Sequence, residues 1–263
     1  MSGPLIIDAH AHFGFLGVFF APPTGLDDLL AMMDKLCIRF AVCIDHLYLS
    51  EGPGAGISCL QKAFERSNGR IHYLGMFDPR CPDECIGILK RAVGRPGFCG
   101  IKIHPSFHRT PAEASEYDAV WRFATDNDVA IMAHSWSPSD YNPVQILSTP
   151  ARYEKFIRAY PDVRFVLGHA GGRGSGQDEA IRLARDYPHV HMDFAADVSC
   201  YRLIEHLSEL VPPEKILFGS DYPWVDPRAN LSRVFLADVD NAVKRGLLAD
   251  NAARVYGIEV DSC

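Results

Sequence analysis

The stretch Leu5-Ile-Ile-Asp-Ala-His-Ala-His-Phe13 constrains this chain more than any other. A short apolar run delivers two histidines, His10 and His12, two positions apart. On a β-strand such side chains share a face, whereas on a helix they diverge. Imidazole nitrogen is a favoured ligand for Zn²⁺ and related ions. A strand ending in His-x-His therefore reads as half of a metal site. The plainer alternative is two histidines at the start of a loop, and the rest of the chain decides between them.

Apolar runs of strand length alternate with amphipathic segments of helix length. Strands are expected at Leu5–Ala9, Phe40–Asp45, Ile71–Phe77, Gly100–His104, Val129–His134, Val163–Gly168, His189–Phe194 and Lys215–Ser220. The helical segments between them are Leu26–Cys37, Ile57–Ser67, Asp83–Val93, Ala112–Asn127, Ala151–Tyr160, Gln177–Tyr187, Tyr201–Leu210 and Leu231–Arg245, with a terminal helix at Ala249–Tyr256. Near-continuous apolar strands suit a parallel sheet covered by helices. Eight strand–helix units in 263 residues favour a (β/α)₈ TIM barrel, a fold of about 250 residues, over an open doubly wound sheet. The expected organisation is one domain spanning residues 1–263. No Gly-x-Gly-x-x-Gly follows the first strand, so a dinucleotide fold lacks its main signature. The glycine cluster Gly168-His-Ala-Gly-Gly-Arg-Gly-Ser-Gly176 reads as a tight turn at a site, since it lacks the Lys-Ser/Thr ending of a phosphate loop.

The net charge of −7 and a pI near 5.9 argue against nucleic acid as a main partner. No run approaches the roughly eighteen apolar residues of a membrane span, and the N-terminus lacks a basic leader region. The eight scattered cysteines form no Cys-x-x-Cys and read as reduced, mostly buried thiols of a cytoplasmic protein. The segment Gly14–Thr24 is an unusually apolar first loop. It reads either as packing against a neighbouring loop or as a lid or a contact between two copies in a homodimer.

In a barrel, residues at strand C-termini converge on one mouth. Strand one brings His10 and His12 there, strand four Lys102 and His104, strand five His134, strand six His169 and strand eight Asp221. Singly, each has a plainer role: a core histidine, a turn-forming aspartate, a strand-end lysine. Together they place several imidazoles and a carboxylate on one rim, which is the composition of a metal site. The histidines at 46, 72, 108, 189, 191 and 206 read mostly as surface or supporting residues.

These residues carry a resemblance. The ordered set Asp8-Ala-His-Ala-His12, His134, Gly168-His-Ala-Gly-Gly172, Gly219-Ser-Asp-Tyr-Pro-Trp224 and Asn251-Ala-Ala-Arg-Val-Tyr-Gly257 resembles the amidohydrolase superfamily, in its amidohydrolase 2 branch. The resemblance runs from the first strand to the last helix. It implies a distorted TIM barrel with a divalent metal bound by His10, His12, His134 and Asp221. It also implies that His169 binds a second metal or polarises substrate or metal-bound water.

Three imidazoles and a carboxylate leave room for water on an ion, most naturally Zn²⁺, which can bring that water's pKa to about 7. The first reading is hydrolysis of an amide, ester or lactone bond of a small, carboxylated substrate by a metal-activated water. Asp221 would move the proton and His169 would stabilise developing charge. The alternative is metal-dependent, non-oxidative decarboxylation of an aromatic or unsaturated acid, which the resembled branch also contains. One ion is expected, or two if Lys102 is carboxylated as in some hydrolases of the superfamily. A barrel that binds without turnover is disfavoured, because the ligand set is intact. Lys102 and His104 point inward by the same two-residue logic as His10 and His12. Arg80, Arg109 and Arg173 on the loops could grip a carboxylate, and Trp136 and Trp224 could wall an apolar pocket.

Overall fold

The computed structural model describes residues 3–14, 24–198 and 200–260. Eight strands pair in chain order in one sheet: β1 (Ile7–Phe13), β2 (Phe40–Asp45), β3 (Ile71–Met76), β4 (Phe98–Ile103), β5 (Ala130–His134), β6 (Phe165–Gly168), β7 (Val190–Asp193) and β8 (Ile216–Leu217). Every neighbouring pair is parallel. The ring joins where β8 meets β1. There Ala9 N–H donates to Phe218 O (2.9 Å), Asp221 N–H to His10 O (2.8 Å) and His12 N–H to Tyr222 O (2.8 Å). With helices alternating between the strands, the result is a (β/α)₈ barrel.

Apolar side chains fall into two clusters. The outer one fills the layer between sheet and helices, with Trp121, Phe156 and Phe165 among its largest members. Helix Leu26–Leu36 feeds it Leu26, Leu29 and Met33, and helix Asp118–Asn127 feeds it Val120, Trp121, Phe123 and Ala124. Both sets recur at helical spacing, so each helix buries one stripe. The inner cluster joins Ile7, Ala9, Val42, Leu74, Met132, Val166 and Leu217 from the strands to Ala252, Val255 and Tyr256 of the terminal helix Asn251–Tyr256. That helix packs its apolar stripe against the lower lumen.

One irregularity decides where the first two histidines point. The register of β1 against β2 shifts between Asp8 and Ala11. Before the shift Ile7 and Ala9 belong to the inner cluster, and after it Ala11 and Phe13 belong to the outer one. The bulge reverses the alternation, so His10 and His12 turn into the lumen above Ile7 and Ala9.

Several boundaries differ from the sequence reading. β1 extends to Phe13, four residues beyond the expected Ala9, because closure onto β8 continues to Tyr222. β8 keeps ladder geometry only over Ile216–Leu217, since its later residues bond individually to β1. The segment expected as one helix at 231–245 divides into Pro227–Leu236 and Asn241–Arg245, with Ala237 extended between them. Two short helices, Leu47–Glu51 and Pro105–His108, follow β2 and β4 where loops were expected. Of the apolar loop Gly14–Thr24, residues 15–23 lie outside the described residues; Gly14 N–H meets Thr24 O at 2.8 Å. The described cysteines are free thiols, but only Cys43, Cys85 and Cys99 are buried, because the others sit on helix ends and outer faces. Among the described residues no helix is long and apolar enough to cross a membrane.

Asn251 fastens the terminal helix to the barrel, its buried amide donating to Pro213 O and Ile216 O, each at 2.8 Å. Asn251→Ala removes both donors and leaves two carbonyls short of a partner. The expected loss is about 1–3 kcal/mol of unfolding free energy, measured as a lower urea midpoint at unchanged slope.

Candidate metal centre

His10 stands at the centre of the barrel mouth. Its Nδ1 lies 3.0 Å from Asp193 Oδ2, its Nε2 3.8 Å from Asp221 Oδ1 and 3.1 Å from Lys102 Nζ. His12 Nε2 lies 3.2 Å from the same Asp221 oxygen. Among the described residues, ligand atoms of His10, His12 and Asp221 fall within 4.8 Å of one another, as do those of His10, His169 and Asp193.

The backbone holds these groups in uncommon conformations. His169 and Asp221 follow β6 and β8 with φ of 64° and 63°, in the left-handed region that non-glycine residues rarely adopt. Asp193 Oδ1 accepts from His169 N–H at 2.8 Å, and His10 O accepts from Asp221 N–H, so each turn is pinned by the neighbouring strand. Close approach also needs Gly219: a Cβ there would stand 2.9 Å from His10 Cβ.

Burial sets the charge state. It pushes the pKa values of His10, His12, His104, His134 and His169 below the ordinary imidazole value, with the positive charge of Lys102 pushing the same way. Neutral imidazoles are what a cation requires. Burial also pulls Lys102 down and pushes Asp221 up, each against the attraction of the other. Buried His12 Nε2, His169 Nδ1 and Asp221 Oδ1 make no hydrogen bond among the described residues. Unpaired polar atoms are costly in so enclosed a place. His10, His12 and Asp221 converge, with His12 Nε2 and Asp221 Oδ1 unpaired, and this donor set fits a divalent ion.

The other expected site residues lie around this group. His134 is one ring away: its Nε2 faces Gln145 Oε1 at 2.9 Å, and its ring centroid is 5.0 Å from that of His169. His104 stacks on His134 at 3.9 Å, while its Nδ1 accepts from Phe107 N–H and lies 3.3 Å from Ser106 Oγ. Lys102 points at His10 and at Met132 Sδ, 3.3 Å away. Trp224 packs against His12, with centroids 4.5 Å apart, and Trp136 stands edge-on to His169 at 5.4 Å, seated on Gly172. None of the three arginines makes a hydrogen bond or ion pair to His10, His12 or Asp221. Arg80 is forked onto Asp78, and Arg109 is exposed at the end of helix Pro105–His108. Arg173 pairs with Asp197 beside a cavity of about 320 Å³ that Trp136, Ser139 and Tyr141 also line.

Sequence reading missed Asp193 and Gln145, gave Asp8 no role beyond its place in the motif, and left His46 among the surface or supporting histidines. Asp193 ends β7, the same position that yields the other site residues, so its strand-end placement was the available signal. His46 is buried and stacks on His12 at 4.9 Å. Gln145 comes from the segment Pro143–Ser148, and nothing in the sequence ties it to His134.

Residues 56–258 match the amidohydrolase family, and the chain belongs to that family. The match begins after β1, so His10 and His12 join it through the fold. No protein of curated function matches the sequence. Among solved structures, 5-carboxyvanillate decarboxylase from Sphingomonas paucimobilis superposes with a TM-score of 0.72 at 14% identity, covering 98% of this chain and 100% of that one. 2,6-Dihydroxybenzoate decarboxylase from Rhizobium gives 0.75 at 15% identity, covering 98% and 99%. An uncharacterized TIM-barrel protein from Bordetella bronchiseptica gives 0.76 at 13%, covering 96% and 98%. At these identities the likeness establishes the shared fold.

If His12 is a ligand, His12→Ala removes one of the converging atoms and leaves the two apolar clusters untouched. Zn²⁺ titration of chelator-stripped protein is expected to show affinity lower by about tenfold or more, with an unchanged far-ultraviolet spectrum. Wild-type affinity in the variant would exclude His12 from the ligand set.

Proposed function

We propose that this protein is a metal-dependent decarboxylase of a small aromatic acid. The observation that carries this reading is the shape of the mouth around Asp221. His104 and His134 lie within 11° of parallel, and His134 and Trp136 within 9°. His12 and His46 lie within 13°, with Trp224 against both. A mouth so rich in flat rings suits a planar aromatic substrate, which can pack among them with little loss of its own freedom. Two structural neighbours are named as decarboxylases of aromatic carboxylates, which supports the same choice.

A divalent ion held by His10, His12 and Asp221, with His134 adjacent, would act as a Lewis acid toward the substrate's oxygens. Zn²⁺ suits the imidazoles, and one neighbour is described as complexed with manganese. The remaining chemistry belongs to the side chains. Asp221 Oδ1 faces the histidines, which leaves the second oxygen to move a proton. It would deliver that proton to the ring carbon bearing the carboxylate. The C–C bond breaks, its electron pair stays on the ring, and CO₂ leaves. Asp221 then regains a proton from water. Neutral His169 holds a substrate oxygen, and Trp136 and Trp224 keep water from the ring faces.

Hydrolysis of an amide, ester or lactone is the second reading, favoured by the family description and served by the same ligands. A panel of hydroxybenzoates, esters, lactones and amides, presented to Zn²⁺- or Mn²⁺-loaded protein, separates the two. The expected result is CO₂ release with one deuteron taken up at the vacated carbon in D₂O. Incorporation of labelled water oxygen into product without CO₂ would install hydrolysis instead. Asp221→Asn is expected to lower kcat by about 10²–10⁴-fold with little change in KM, provided metal content is matched. Near-normal kcat in that variant would remove Asp221 as the proton donor.

A further inference from the structure

We propose that Asp193 is a positioning residue that fixes the ring tautomer of His10 and, with its other oxygen, the backbone turn that carries His169. The inference rests on reading His10 as a metal ligand, and it assigns Asp193 to supporting that ligand and not to the ion itself.

The argument starts from hydrogen-bond capacity. A carboxylate only accepts and a lysine ammonium only donates. His10 Nδ1 lies 3.0 Å from Asp193 Oδ2, so Nδ1 must carry the proton. His10 Nε2 lies 3.1 Å from Lys102 Nζ, so Nε2 must carry the lone pair. Two independent neighbours on opposite edges of the ring select the same tautomer. It is the one whose lone pair faces the Asp221 side, where His12 also converges. The second Asp193 oxygen accepts from His169 N–H at 2.8 Å and from Ala195 N–H at 3.0 Å. His169 sits at φ 64° and needs its surroundings to hold it there. One fully buried carboxylate thus serves three donors: a ring and two backbone amides.

Asparagine cannot replace it, although it has the same shape. It offers one acceptor atom and an NH₂ group that only donates. In Asp193→Asn either the His10 ring or the His169 amide meets a donor where it needs an acceptor.

The test uses chelator-stripped protein and Zn²⁺ alone, with no substrate, so it stands apart from the choice between decarboxylation and hydrolysis. First, ¹⁵N ring resonances of wild-type protein are recorded, with those of His10 identified by their loss in His10→Gln. A protonated Nδ1 with a bare Nε2 is expected; a protonated Nε2, or protons on both, overturns the proposal. Second, Zn²⁺ binding is titrated. Asp193→Asn is expected to bind the same number of ions with about 10–100-fold weaker affinity, together with a changed His10 ring signature. Unchanged affinity, or a fall from two ions to one, overturns it, the latter by making Asp193 a ligand. If the variant does not fold, the wild-type ring measurement decides.

Discussion

The structure turns on the seam where β8 meets β1, and a single carboxylate occupies that seam. Asp8 is completely buried and accepts from Ser220 N–H (2.9 Å), Ser220 Oγ–H (2.5 Å) and His10 N–H (3.2 Å). Burial pushes its pKa up to about 7, with the Ser220 bonds pulling the other way. A carboxyl group is expensive to hide unless its acceptors are used, and here they bind the last strand to the first. Because Asp8 and Ser220 precede His10 and Asp221 closely in sequence, the joint also sets how near the histidine pair comes to Asp221. Barrel closure and site assembly are one event.

Above the seam the lumen changes character. Below, Ile7, Ala9, Val42, Leu74 and Val166 fill it with apolar volume. At the mouth, imidazoles that burial pushes toward the neutral form, one lysine and two aspartates share an enclosed region. Neutrality of the rings limits the repulsion that Lys102 would otherwise create, and the aspartates balance its charge. Such an arrangement keeps lone pairs available at the cost of unpaired atoms on His12, His169 and Asp221. Electrostatics of this kind are strong because the surroundings are dry, and a cation entering the group would satisfy several ligands at once.

Fold stability and site geometry are therefore supplied by different parts of the chain. The helices and the outer cluster hold the strands. Side-chain bonds between neighbouring strand ends, from Asp8 and Asp193, and from Asn230 of helix Pro227–Leu236, hold the strand ends in conformations that local preference disfavours. Asn230 Nδ2 donates to Gly219 O at 3.1 Å and bonds Ala196 O at 3.3 Å, tying the chain after β8 to the chain after β7. Strained turns at His169 and Asp221 persist because these partners determine them from outside.

The alternation of apolar strands and amphipathic helices determined the barrel, since each period is a local property of consecutive side chains. Strand-end position also marked His10, His12, His134, His169 and Asp221, because a parallel barrel brings all its strand C-termini to one mouth. Only tertiary structure decided which of these meet. The β1 bulge that turns His10 and His12 inward lies in the pairing of β1 with β2 and leaves no local trace, and Asp8 beside it bonds Ser220, more than 200 residues away. Asp193 gained its role from two partners on other strands. His134 was held by Gln145, and the three arginines were placed away from the His10–His12–Asp221 group, Arg80 and Arg173 held by their own aspartates. Such pairings depend on distances between segments remote in sequence. Side-chain type and spacing along the chain therefore name the candidates, while the lumen selects among them.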